Sequence, residues 1–316
     1  NEAENIPALI ARLAGVFASQ AVDYELIFVN DDSTDRSLEL LTLEHARNPR
    51  IKVLNLSRRF GVAEGVLAGM SAAGGDAVIY MDADLQDPPE IVPALIERWR
   101  QGADVVHTVR TRRSGESALK MLATRMAYRI IQFGSPLQLP VEAGDFKLLS
   151  RKAVDHLLAL GESDPYLRGL VVWLGFNQAF VPYERDARNA GATHFPFFSR
   201  NPWKTFVLGV TSFSFLPIYV CLGLAAVGLV LSAALLVLTL ALAVRGTLWS
   251  APTPALFLAL AFGWTTTMAA IGGVGLYVIR IYKDVRGRPP FIVKSAVGLP
   301  ESRGDEIVSG RRAPRR

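Results

Sequence analysis

The feature that most limits what this chain can fold into is a change of solvent preference part-way along it. Residues 1 to 200 mix acidic and basic side chains freely with apolar ones, whereas from Phe206 to Ile279 the only charged residue is Arg245. A surface in water does not carry so long an uncharged run, because contiguous apolar patches of that size associate or seek lipid. Tyr219 to Val244 holds no charge at all. As a helix rising about 1.5 Å per residue it would reach about 39 Å, while a bilayer core needs only about 20 residues. Ala255 to Ile281 is a second such run, closed by Arg280, and Arg245 to Pro254 joins the two. The sequence therefore predicts a two-helix transmembrane hairpin over residues 219–282.

Charge then sets orientation. Arg200 and Lys204 precede the hairpin, and Lys283, Arg286, Arg288 and Lys294 follow it. The positive-inside rule places both flanks, and with them residues 1–200, on the cytoplasmic side. Residues 201–218 read either as a juxtamembrane helix in the interface, with Trp203 and Lys204 at headgroup level, or as an early start of the first span that kinks at Pro217. Residues 283–316 form a basic cytoplasmic tail, expected to be disordered beyond Val297. The net charge of +5 is modest, but Arg and Lys gather at Arg58-Arg59, Arg110 to Arg113, and Arg280 to Lys294. No nucleic-acid motif accompanies them, so a membrane surface and phosphates are the expected partners, and nucleic acid is not. Cys221 is the single cysteine; it precludes an intrachain disulfide and suits a reducing compartment. No signal peptide is evident. The chain opens on Asn1-Glu2 within what reads as a motif, so the true N-terminus is expected to be missing from the numbering.

The first two hundred residues alternate β-rich runs (Tyr24–Asn30, Ile51–Leu56, Ala77–Met81, Asp104–Val109) with helical patterns (Ile6–Phe17, Ser37–Arg47, Val62–Ala73, Pro88–Arg100). Such alternation predicts βαβ units, an α/β fold and a mostly parallel sheet. Ligands of such sheets lie beyond the C-terminal strand ends, where Asp31 and Asp82 both fall. Asp87-Pro88-Pro89-Glu90 further predicts a helix start, with Asp87 as the cap and Pro88 as the first helical residue.

The candidate chemistry centres on Asp82-Ala83-Asp84-Leu85-Gln86-Asp87. Two carboxylates one residue apart, with an amide oxygen nearby, can share a hard divalent cation such as Mg²⁺ or Mn²⁺ together with substrate phosphates. A cation so placed neutralises a departing diphosphate. Taken alone, the pattern is also that of a solvated acidic loop. Asn30-Asp31-Asp32-Ser33-Thr34-Asp35 is a second strand-end cluster; a carboxylate there can accept a nucleobase N–H, and the same residues can cap the following helix. His45, His107 and His156 show no ligand spacing and read as structural. Thr265-Thr266-Thr267 and the glycines Gly272, Gly273 and Gly275 suit close helix packing, within the chain or between subunits of a homo-oligomer.

Together these segments resemble the family-2 glycosyltransferases of GT-A (Rossmann-like) fold, most closely the polyprenyl-phosphate sugar synthases such as dolichyl-phosphate mannose synthase and the bactoprenol glucosyltransferases. The likeness is carried by Asn1 to Ile6, the Asn30–Asp35 run, Leu56 to Gly61, Asp82 to Glu90, Ala143 to Leu148, and Gly275 to Pro289. It implies an inverting transfer of a sugar from a nucleotide-diphosphate sugar to a polyprenyl phosphate, at the cytoplasmic face of a bacterial inner membrane. UDP-glucose is the preferred donor and GDP-mannose the alternative. It further implies that Asp31, Asp82, Asp84 and Arg58 bind the nucleotide sugar and that Asp82, Asp84 and Gln86 hold the metal. Catalytic roles would fall to Asp84, Asp145 and Arg110, and acceptor-phosphate binding to Arg110, Arg113, Arg129, Arg185 and Arg188. Guanidiniums suit bidentate phosphate recognition. Asp32, His194 and Phe195 depart from the resembled pattern. A processive polysaccharide synthase would need a Q-x-x-R-W motif and more spans, a nucleotidyltransferase an early Gly-rich phosphate loop; neither motif occurs. An inactive scaffold of the same fold is the remaining alternative.

Overall fold

The computed structural model describes residues 1–112, 126, 129, 143–184, 200–245 and 253–299. Its first half forms as the apolar periodicity predicts. Helix α1 (Ile6–Ala18) leads into β1 (Leu26–Asn30), α2 (Ser37–Arg47), β2 (Ile51–Leu56), α3 (Val62–Ala72) and β3 (Ala77–Tyr80). A 3-10 turn at Pro89–Ile91 precedes α4 (Val92–Arg100), then β4 (Val105–Arg112) and β5 (Ala143–Ser150). Helices α5 (Arg151–Leu160) and α6 (Leu167–Trp173) and strand β6 (Gln178–Glu184) follow, then α7 (Arg200–Phe213), α8 (Leu216–Val244), α9 (Thr253–Val285) and β7 (Val293–Val297).

The described strands make two sheets, ordered β1-β2-β7 and β3-β5-β4-β6. Strands β1 and β2 run parallel, as do β4 and β6, but β7 lies antiparallel on β2 and β5 antiparallel on both β3 and β4. The α/β class stands, while the pairing is mixed rather than mostly parallel. In space β5 inserts antiparallel between β3 and β4, and β7 returns from beyond the long apolar helices. Neither return is encoded in local periodicity.

The second sheet is buried on both faces. Leu149 and Val105, with the half-buried Val78 and Tyr80, pack towards α3, α5 and α6, and Phe146, Leu148 and Val106 pack towards α4. Helix α1 bridges the two sheets, since Leu9 and Leu13 cluster with Phe28 of β1 and with Met81, Ala83 and Leu85 beyond β3. Both acidic strand ends are thereby held against one helix.

Asp87 does not cap the following helix. The turn that starts at Pro89 has no side-chain cap, and the Asp87 carboxylate is 1% exposed and bonded elsewhere. Proline supplies a preset φ at the helix start, which leaves the aspartate available for another role.

Helices α8 and α9 contain Leu216–Leu242 and Ala259–Val285, each long and apolar enough to cross a membrane. They pack on one another, and a Cβ at Gly273 would lie 2.9 Å from Cys221 Sγ, so the glycine lets the first helix approach. Thr265 and Thr267 return their hydroxyls to carbonyls one turn back, which satisfies them without water. Helix α7 is separate from α8. The chain breaks at Ser214, whose Oγ accepts the N–H of Leu216 at 3.0 Å, and Pro217 falls in the first turn of the new helix rather than at a kink. From Phe206 onward α7 packs Val210 and Phe213 on Tyr166 and Val172. The side chains of Trp203 and Lys204 lie outside the described residues.

Candidate active site

The acidic segment leaves β3 through an uncommon backbone. Leu85 adopts φ 60° although it is not glycine, and its side chain is only 3% exposed in the α1 cluster. A left-handed leucine persists only where its surroundings enforce it; here the burial of Leu85 does so. The two residues beside it, Asp84 and Gln86, are thereby held in a tight turn in which Asp84 Oδ1 accepts the Gln86 N–H at 3.1 Å. Asp84 is 6% exposed and Asp82 half-buried.

Whether these residues suit a divalent cation is a question of donor chemistry. Among the described residues no three His, Cys, Asp or Glu side chains converge as a cage. Asp82, Asp84 and Gln86 instead offer a short row of hard oxygen donors. That is the usual complement for Mg²⁺, which takes one or two carboxylates and completes its shell with water and substrate phosphates. The set fits such an ion.

Arg110, on β4, stands beside this segment in a frame of its own. Its Nε donates to Tyr183 Oη at 3.1 Å, and that hydroxyl donates to Asp87 Oδ1 at 2.5 Å. Asp87 lies 4.0 Å from Arg110 Nη2. A Cβ on Gly144 would come within 3.2 Å of the same guanidinium, so a glycine on β5 makes room for it. Burial works against the charge, but Tyr183 and Asp87 outweigh it and hold the guanidinium firmly protonated. Neither Tyr183 nor the inward role of Asp87 is part of the sequence reading. The alternating exposure of β6, with Val181 and Tyr183 turned in, is the one signal that marks the tyrosine.

Asp145, on β5, is gripped bidentately by Arg168 of α6, with Nε to Oδ1 at 2.7 Å and Nη2 to Oδ2. Burial pushes its carboxyl up, yet Arg168, with Lys147 and Arg110 adding to it, holds the acid well below the ordinary carboxylate range. Arg168 carries no motif, so only the fold brings it here. Lys147 sits behind the pair, 1% exposed, and burial brings its ammonium down to about 8 against the pull of Asp145. Tyr80 lies opposite Lys147 in the β3–β5 register, and its hydroxyl is buried with no hydrogen-bond partner among the described residues.

The other predicted residues are placed as follows. Asp31 accepts the backbone N–H of Phe60 at 2.7 Å and of Gly61 at 3.0 Å, so its carboxylate ties the end of β1 to the start of α3. The Arg58 guanidinium lies 3.9 Å from the centre of the Phe60 ring. Arg129 is exposed. Arg113, Arg185 and Arg188 lie outside the described residues. His45 and His156 donate to the carbonyls of Ile51 and Lys152, and His107 to Gln178 Oε1 at 3.0 Å. All three are structural in that sense.

Residues 1–158 match the model of Glycosyl transferase family 2. The chain belongs to that family. It is 37% identical over 307 residues to the Uncharacterized glycosyltransferase YkcC of Bacillus subtilis (strain 168), covering 96% of this chain and 93% of that protein. It is 33% identical over 305 residues to the SfII prophage-derived bactoprenol glucosyl transferase of Shigella flexneri, covering 94% and 95%. The Prophage bactoprenol glucosyl transferase homolog of Escherichia coli (strain K12) is 33% identical over 303 residues, covering 93% and 95%. The likeness to these relatives runs through the long apolar helices as well as the catalytic domain, and the chain is a glycosyltransferase.

Proposed function

We propose that this glycosyltransferase moves a sugar, UDP-glucose being the preferred donor, onto a polyprenyl phosphate with inversion, at the cytoplasmic face of a bacterial inner membrane. The observation that carries the reading is the juxtaposition of two charge sets on a domain borne by membrane-length helices. Oxygen donors of Asp82, Asp84 and Gln86 stand at one strand end, and the cations Arg110 and Arg168 stand on the strand and helix beside it. The bactoprenol glucosyl transferases, similar over more than nine-tenths of this chain, support the acceptor class.

In this reading Asp82, Asp84 and Gln86 would hold Mg²⁺ or Mn²⁺, which when bound neutralises the charge that develops on the departing nucleotide diphosphate. Asp31 and Arg58 serve the nucleotide end, and Arg113, Arg129, Arg185 and Arg188 are assigned with Arg110 to the acceptor phosphate. An acceptor phosphate oxygen attacks the anomeric carbon as the bond to the diphosphate breaks on the opposite face. A phosphate monoester has its second pKa near about 6, so around neutral pH it attacks mostly as the dianion and needs no strong base. Asp145 fits that requirement. Gripped by Arg168 and held far below the usual carboxylate range, it is a poor proton acceptor and is suited to orienting its neighbours. Arg110, fixed by Tyr183 and Asp87, presents a preset positive charge to the attacking phosphate, and preset charge is effective because it needs no reorganisation.

The test is transfer by the purified full chain with Mg²⁺ or Mn²⁺, undecaprenyl phosphate and radiolabelled UDP-glucose or GDP-mannose. A chelator-sensitive, lipid-extractable product from UDP-glucose is expected. Product from GDP-mannose alone would replace the donor, donor binding without product would replace the acceptor, and neither binding nor product would leave an inactive scaffold.

A further inference from the structure

The end of the second long apolar helix makes a set of contacts that the transfer chemistry does not use. Arg280, near the end of α9, donates from Nη2 to Glu162 Oε2 at 2.9 Å and from Nη1 to Ser212 Oγ at 2.7 Å. One guanidinium thus joins α9, the end of α7 and the loop that follows α5. Neighbouring bonds repeat the connection. Tyr277 donates its hydroxyl to the carbonyl of Ser214 at 2.7 Å. Lys283 pairs with Asp164 at 2.5 Å. Between those acids, Ser163 gives its N–H to Asp284 at 3.1 Å and its hydroxyl to the carbonyl of Lys283 at 3.0 Å. Arg280 and Glu162 are 18% and 28% exposed, so salt screens this pair less than it would an open one.

The loop carrying Glu162, Ser163 and Asp164 leads straight into α6. That helix lies tightly on α7, because a Cβ at Gly169 would sit 2.1 Å from the Phe213 ring. From the same helix Arg168 reaches Asp145. Few joints separate the apolar helix from the candidate active site, and each is a packed helix or a charged contact.

We infer that Arg280 and Glu162 are positioning residues that latch the membrane hairpin to α6, and so fix where Asp145 and Arg168 stand relative to an acceptor anchored in the bilayer. The inference rests on the polyprenyl-phosphate reading given above. An acceptor whose tail lies in the membrane presents its phosphate at a limited height and cannot follow a displaced site. A nucleotide sugar arriving from water is under no such restriction. Loosening the latch therefore affects acceptor use and spares donor binding. Misplacement by about 1 Å can lower a rate by about 10²-fold, so a partial loosening should lower transfer by roughly tenfold or more.

The experiment uses the full chain in proteoliposomes, with E162Q, R280Q and the swapped pair E162R/R280E. Each is assayed with undecaprenyl phosphate, with a short water-soluble isoprenyl phosphate, and for UDP-glucose binding. Each single variant should lose roughly tenfold or more in kcat/KM for the long acceptor, lose much less for the short one, and bind donor as the wild type does. The swapped pair should recover most of the loss. Wild-type transfer by the single variants, equal losses for both acceptors, donor binding that falls with transfer, or a swap no better than the singles would each overturn the inference. A wild-type enzyme that makes no lipid product from any nucleotide sugar would refute the functional reading instead, and the wild-type control shows this before any variant is compared.

Discussion

Replacing Tyr183 with phenylalanine removes one oxygen and almost no volume, which makes it a clean probe of the frame around Arg110. The hydroxyl donates to Asp87 at 2.5 Å and accepts from Arg110 Nε at 3.1 Å. Asp87 is 1% exposed, so water has little room to replace the lost donor. A hydrogen bond to a charged group is worth about 1.5–3 kcal/mol. The two bonds share one hydroxyl and do not add in full, so Y183F should lose about 2–4 kcal/mol of stability. The ring should keep its edge-on contact with Phe146, at 6.4 Å between centroids, and no cavity opens. Arg110 meanwhile loses the partner that aims its Nε. We expect transfer to fall about tenfold, equivalent to about 1.4 kcal/mol in the barrier, with donor binding unchanged. Denaturant unfolding in detergent reads the first quantity, and kcat/KM for the lipid acceptor reads the second. In an R110A background the same substitution should add nothing further to the loss of transfer. A Y183F protein that unfolds and turns over like the wild type would refute the reasoning, and additive losses in the double variant would show that Tyr183 acts other than through Arg110.

Three further outcomes follow from single residues. D84N should lower turnover by at least about hundredfold, since a cation clamp supplies several kcal/mol, while the melting temperature stays close to wild type; unchanged turnover would remove Asp84 from the site. His107 is fully buried, and burial, with Lys147 adding to it, lowers its imidazole to about 4. The unfolded chain therefore binds more protons between about pH 6.5 and 4. Stability is full above about 6.5 and falls as pH drops through that window, by up to about 3 kcal/mol from this group; H107Q should flatten that part of the curve in melts taken across the range. G169A should destabilise the chain, although alanine in place of a helical glycine ordinarily adds about 1 kcal/mol, because the new Cβ meets Phe213. G169A/F213L should recover part of the loss in a thermal melt.

The sequence by itself determined those features that depend on local periodicity and on charge. The strand and helix alternation up to β4 was legible because each element buries one face at its own period, and the long apolar helices because lipid demands length and lack of charge. The pair Asp82 and Asp84 was legible because two carboxylates one residue apart at a strand end are a local pattern. Tertiary structure decided what depends on residues distant in sequence. The strand β5 inserts antiparallel between β3 and β4, and in doing so sets Asp145 and Lys147 beside Tyr80. The helix α6 brings Arg168 to Asp145 across 23 positions. Asp87, which local rules read as a helix cap, turns inward to Tyr183 across 96 positions. A buried carboxylate gains more from a distant hydroxyl and guanidinium than from capping a turn that proline already presets, and only the packed fold puts those partners within reach.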